Sequence, residues 1–151
     1  MTKGELARQY FELGYNCSQA VVLAFADEIG LDIDTLAKIS SSFGGGIGRM
    51  REVCGTVSGM ALVLGFLYGY DSPTDNSAKK AHYDRVQTVV NKFKELNGSV
   101  VCRELLGLSP ITPISSTPTE RTPDFYKKRP CAELAQIAGD ILEEFIANQA
   151  K

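Results

Sequence analysis

Met60-Ala61-Leu62-Val63-Leu64-Gly65-Phe66-Leu67-Tyr68 contains no charged side chain and nothing polar before its closing tyrosine. A segment that is apolar on every side belongs in a core, and at this length, without strand-like alternation, it forms a helix. The spacing predicts a helix over about residues 52–68, starting near Arg51 and closed by Gly69, as the central core element. Gly55 and Gly59 lie four residues apart within it and leave a notch on one face. A neighbouring backbone, a sulfur or a cofactor could approach closely there.

The flanking sequence repeats the helical signal. Thr2 and Glu5 form a capping box ahead of a first helix that runs to about Leu13, with Leu6, Tyr10 and Leu13 on one face. Asn16 and Gln19 form a second capping box, with Cys17 at the first helical position. The helix they open is apolar nearly all round from Ala20 to Ala26 and ends at Gly30. Asp32 or Asp34 caps a short helix containing Leu36 and Ile39. A long amphipathic helix is expected from Asn76 to Asn97, with Val86, Val89, Val90, Phe93 and Leu96 inward. Ser99 is expected to cap a short helix carrying Cys102. Pro130 takes the first position of a last helix, with Cys131 beside it and Leu134, Ile137, Ala138, Ile141, Leu142 and Phe145 as its buried stripe. No strand and no internal repeat is evident. The expected fold is all-α, a single-domain bundle of about six to seven helices spanning 1–151.

Two stretches break this pattern. Ser40 to Gly48 contains Gly44, Gly45, Gly46 and Gly48, which open backbone conformations closed to other residues. Residues 107–129 are rich in Pro, Ser and Thr, with no periodicity, and are expected to form a loop that acts as a lid.

Composition narrows the function. The chain has 151 residues, 44% hydrophobic and 23% charged, with a net charge of −2. No basic face is available for nucleic acid. No apolar run is long enough to cross a bilayer, so membrane insertion is not expected. The start, Met1 to Glu5, leads straight into a helix with no signal-like apolar run, so the expected location is cytoplasmic. In that reducing setting, four cysteines point to metal binding or redox chemistry more than to structural disulfides.

The chemistry rests on Cys17, Cys54, Cys102 and Cys131, each near the start of a different expected helix. Helix starts present unpaired N–H groups and partial positive charge, which favour thiolate. Arg49, Arg51, Arg103 and Arg129 stand close in sequence to these cysteines and would lower their pKa values further. The four cysteines are therefore the candidate catalytic residues and equally the candidate metal ligands. Gly45, Gly46, Gly55 and Gly59 are the candidate positions for close cofactor approach. The glycine run matches neither phosphate-binding fingerprint, and no strand precedes it, so its better role is to deliver Cys54 to a shared sulfur site. His82 is expected on the surface of the long helix, and no Ser-His-Asp arrangement is present.

Phe43-Gly44-Gly45-Gly46-Ile47-Gly48-Arg49-Met50, followed by Cys54-Gly55-Thr56-Val57-Ser58-Gly59, with one cysteine before and two after, resembles the C_GCAxxG_C_C family of redox-active proteins. The resemblance runs from Cys17 to Cys131 and implies that the four cysteines are the signature positions, with Gly55 and Gly59 beside them. The family's alanine after the Cys-Gly pair is Thr56 here.

Three chemistries stay open. The thiolates could ligate an iron–sulfur cluster. They could cycle between dithiol and disulfide with a protein redox partner. They could also hold a structural zinc in a binding module without redox activity. In a further reading the thiols are inert and the protein is an interaction scaffold. A helix start offering sulfur at the surface could also share its site across a homodimer.

Overall fold

The computed structural model describes residues 1–149, and all of its regular secondary structure is helical. The elements are α1 (Lys3–Glu12), α2 (Cys17–Ala24), α3 (Ala26–Ile29), α4 (Ile33–Ser40), α5 (Gly55–Tyr68), α6 (Asn76–Asn97), α7 (Cys102–Leu105), α8 (Pro123–Lys128) and α9 (Cys131–Gln149). A single 3-10 turn, Ser41–Phe43, follows α4. The fold is all-α, as expected. Among the described residues, no helix is long and apolar enough to cross a membrane.

Both capping boxes form. Thr2 accepts from the Glu5 amide, and Glu5 accepts from the Thr2 amide at 2.9 Å. Asn16 and Gln19 make the same exchange at the start of α2. These bonds satisfy amides that the first helical turn would leave without partners.

The centre of the bundle is α2 and not α5. Seven of the eight residues of α2 are buried, and the helix packs against α1, α4, α5 and α9. Helix α5 buries Val57, Met60, Val63 and Leu64, but Phe66 is 39% exposed and Gly65 is open to solvent. An apolar composition leads to burial only where neighbours exist, and the outer face of α5, with Ala61, Leu62, Gly65 and Phe66, is only partly covered. The helix also starts later than expected, at Gly55, because residues 45–51 take a different backbone path.

Other boundaries shift for local reasons. The expected helix from Asn16 to Gly30 breaks at Phe25, whose backbone (φ −109°, ψ 20°) leaves the helical region while its side chain is 1% exposed in the core. Helix α6 keeps its expected bounds, capped by Asp75 and closed by Gly98 at φ +84°. Its stripe is shorter than expected, since Leu96 is 54% exposed in the last turn. His82, expected on the surface, is buried with its ring edge-on to Tyr70. Val101, not Ser99, precedes α7; the Ser99 hydroxyl accepts from the Val101 amide instead. Residues 107–129 are not all loop, because Thr122 caps α8 with Pro123 in its first turn.

Helix α9 is held by an unusually close crossing with α1. A Cβ on Gly139 would lie 2.7 Å from the Gly4 Cα and 2.8 Å from the Lys3 carbonyl oxygen. Only paired glycines allow two backbones to pass so near. The Lys3 amide donates to Glu143 at 2.9 Å beside the same crossing. Because Cys131 begins α9, this contact sets where that sulfur lies. Gly139→Ala should force the helices apart and cost about 1–3 kcal/mol, as overpacking does. Thermal unfolding followed by circular dichroism would show the loss as a lower midpoint.

Candidate functional site

Each cysteine begins a helix. Cys17, Cys102 and Cys131 are the first residues of α2, α7 and α9, and Cys54 immediately precedes α5. All four line one cavity of about 460 Å³. Cys17, Cys54 and Cys102 are buried, Cys131 is partly exposed, and none is in a disulfide.

Two backbone devices bring them together. In the first, residues 45–49 all have positive φ, from +54° at Gly48 to +77° at Gly46, and Arg51 adds +63°. Glycine adopts this left-handed conformation freely, but Ile47, Arg49 and Arg51 adopt it at a cost of roughly 1–2 kcal/mol each. Bonds from Gly48 to Ser42, Arg49 to Gly44, Arg51 to Gly45 and Glu52 to Gly46 close the coil. The coil packs tightly. A Cβ on Gly46 would meet the Glu52 amide nitrogen at 2.6 Å and the Cys102 Cβ at 2.8 Å, and one on Gly44 would strike Asn16.

In the second, the chain leaving the coil pairs with the approach to α7. Val53 and Val101 form an isolated antiparallel bridge. The Cys54 amide donates to the Val100 carbonyl at 2.8 Å, and the Cys102 amide donates to Glu52 at 2.6 Å. Residues alternate sides along an extended pair, so Cys54 and Cys102 both turn away from the bridging valines and into the cavity.

The notch on α5 is filled by sulfur and backbone. A Cβ on Gly55 would collide with the Cys17 sulfur and approach the Phe43 carbonyl oxygen at 2.8 Å. At Gly59 the neighbours are the Ser18 carbonyl and Val21, both at 3.0 Å. Of the four glycines singled out from sequence, Gly45 lines the cavity, whereas Gly46, Gly55 and Gly59 pack behind its wall.

The chain from Gly107 to Arg129 roofs the cavity with Ser116, Pro118, Thr119, Arg121, Phe125 and Arg129. It is fastened by arginines. Arg121 donates to the Phe11 carbonyl at 2.9 Å and the Tyr15 carbonyl at 3.0 Å, with its guanidinium stacked 4.2 Å from the Phe11 ring. Arg49 donates to the Ser115 carbonyl and to Thr119 Oγ1. Arg103, expected beside a thiol, instead holds the loop at Ser109 and Thr112.

The electrostatics reverse one expectation. Burial pushes the thiols of Cys54 and Cys131 up to about 12 and raises that of Cys17 as well. Desolvation of the charged form outweighs the helix ends and arginines. Opposing pulls are present but smaller: the Gly45 amide acts on Cys17, Thr56 on Cys54, and Arg129 and Arg121 on Cys131. The Thr56 hydroxyl lies 3.1 Å from the Cys54 sulfur, and Arg51 Nη1 lies 3.7 Å from that of Cys102.

These sulfurs fall within reach of a family comparison. The model for the family described as "Putative redox-active protein (C_GCAxxG_C_C)" matches residues 15–145, a span that takes in all four cysteines. The chain belongs to this family. No curated protein and no solved structure is detectably similar to it. In this C_GCAxxG_C_C protein Thr56, in place of the family alanine, supplies the hydroxyl beside Cys54.

The sequence placed the four cysteines at helix starts but carried no signal for Arg121, which lies in a stretch without periodicity. Asn16 was legible only as a cap, yet it also lines the cavity and donates to the Ser41 carbonyl at 3.0 Å. Among the described residues, no three His, Cys, Asp or Glu side chains are close enough together to hold a metal ion.

Raised thiol pKa values carry a pH signature. As pH rises from about 9 to about 12, unfolded thiols lose protons that Cys54 and Cys131 retain when folded. The unfolded state then binds fewer protons, so stability falls across that window. Chemical denaturation of the reduced protein should show this decline, and Cys54→Ser with Cys131→Ser should make it shallower, the remainder coming from Cys17. Gly55→Ala should displace the Cys17 sulfur and cost about 1–3 kcal/mol, read in the same denaturation experiment.

Proposed function

We propose that Cys17, Cys54, Cys102 and Cys131 form one redox centre, with an iron–sulfur cluster as the group they hold. The observation that carries this reading is that four thiols from four separate helix starts meet on the wall of a single cavity. Tetrathiolate ligation suits [2Fe–2S] and [4Fe–4S] clusters, so the donor set fits the group. A single zinc takes four thiolates as well, with sulfurs about 2.3 Å from one ion; no three donors among the described residues are close enough together to hold a metal ion, so for either group the sulfurs must draw closer.

When bound, a cluster supplies one-electron transfer. The chain's own residues do the rest. Ligation requires each thiol to lose its proton, and burial opposes this for Cys17, Cys54 and Cys131. The Gly45 amide beside Cys17, Thr56 beside Cys54, and Arg129 and Arg121 beside Cys131 offset part of that opposition. The roof from Ser116 to Arg129 limits water access. Electrons pass to a protein partner that docks on the side of Cys131, the most exposed of the four.

The same exposure favours a second reading, dithiol–disulfide exchange. In it two thiols become one disulfide, and two protons and two electrons pass to the disulfide of a partner, which becomes a dithiol. Cys131 would make the first attack, because an incoming disulfide must reach a sulfur.

Anaerobic purification, followed by an absorption spectrum and analysis for iron and sulfide, separates these readings. Visible charge-transfer bands with stoichiometric iron and sulfide are expected, and Cys54→Ser should abolish them with helical circular dichroism retained. Reversible loss of titratable thiols without iron would favour exchange. Colourless zinc, or thiols that never change with redox state, would overturn the redox function.

A further inference from the structure

The cavity wall is charged in one direction only. Arg49, Arg51, Arg121 and Arg129 line it, and among the described residues no Asp, Glu, Lys or His does. The ion pairs found among the described residues, Lys3–Glu28, Arg8–Glu12 and Lys80–Asp84, involve none of these arginines. All four are partly buried, so solvent screens them incompletely.

Their donors are unequally used. Arg121 is committed to two carbonyls and three aromatic rings and serves to hold the roof. Arg49 has two partners in the roof. Among the described residues, Arg51 has only the Cys102 sulfur as a partner, and the guanidinium of Arg129 has only the face of Phe125, 5.6 Å from the ring centre. A guanidinium carries five N–H donors, so most of those on Arg51 and Arg129 are free to bind something else. Burial disfavours the charged form of Arg49, and repulsion from Arg51 and Arg129 adds to that effect. Like charges held together beside a partly enclosed space are costly without a counterion.

We propose that Arg49, Arg51 and Arg129 form an anion subsite, which brings a small molecule bearing a carboxylate or phosphate-like group against the cysteines. The planar fork of arginine matches the paired oxygens of either group. A volume of about 460 Å³ suits a small molecule and not a folded partner. Calling this anion the substrate rests on the redox function proposed above, whereas its binding does not.

The test titrates the reduced, full-length protein with inorganic phosphate and, separately, with malonate, at constant ionic strength set by sodium chloride. Calorimetry should show saturable binding of at least one of them, and the stronger ligand identifies the oxygen arrangement preferred. Arg51→Gln and Arg129→Gln should each weaken that binding at least tenfold, whereas Arg103→Gln, outside the cavity, should not. Arg51→Lys keeps the charge without the fork and should fall between. Circular dichroism checks the fold of each variant, and Arg129→Gln carries the test if Arg51→Gln does not fold. No saturable binding of either anion, or equal binding by the Arg51→Gln and Arg129→Gln variants, overturns the subsite. Cys54→Ser keeps the two proposals apart: it should lose the redox signal and still bind the anion. Anion binding by a protein whose thiols prove inert would sink the redox function and leave the subsite standing.

Discussion

The absence of a Cβ at residue 55 is the constraint around which the site is built. The Cys17 sulfur occupies the space where that atom would be, so α2 and α5 approach at their amino-terminal ends closely enough for Cys17 and Cys54 to face one cavity. Gly59, one turn on, extends the approach along the helix pair against Ser18 and Val21. Separation of these two helices would pull α2, the most enclosed helix, away from its neighbours and disperse the sulfurs together. Packing of the core and assembly of the site are thus the same event.

Around that contact the molecule sets burial against charge. Three sulfurs lie where water is scarce, which favours the neutral thiol, while arginines and helix starts favour the anion. Neither side is redundant. Burial disfavours the charged form of these thiols, and the positive wall favours negative charge in the cavity. The left-handed coil of residues 45–49 belongs to the same balance. Ile47 and Arg49 hold an unfavourable backbone conformation there, Arg51 does so just beyond it, and Arg49 and Arg51 reach the cavity. Strain of this kind persists only where the surrounding contacts fix it, and such places are often functional.

Much of the fold was legible from local chemistry. The capping boxes at Thr2 and Asn16, the bounds of α6 and the helical class follow from hydrogen-bond donors and hydrophobic spacing within a few residues. Three of the errors share one cause. Helix α5 looked central because its composition is apolar all round, but composition does not say on how many sides a neighbour will stand. Leu96 and His82 exchanged their expected surroundings for the same reason. Helix α8 was signalled by Thr122 ahead of Pro123 yet masked by the Pro/Ser/Thr content around it.

The site divides along the same line. By itself the sequence determined that four cysteines would sit at four helix starts and that glycines would crowd the second of them, because caps and turns are read from neighbours along the chain. Only the tertiary structure decided that the sulfurs share a cavity, that Arg121 and Arg129 come from the far end of the chain to help line it, and that the pKa values of Cys17, Cys54 and Cys131 are raised and not lowered. Those outcomes depend on how much water remains around a group after distant segments have packed, and desolvation is a property of the assembled volume that no local spacing encodes.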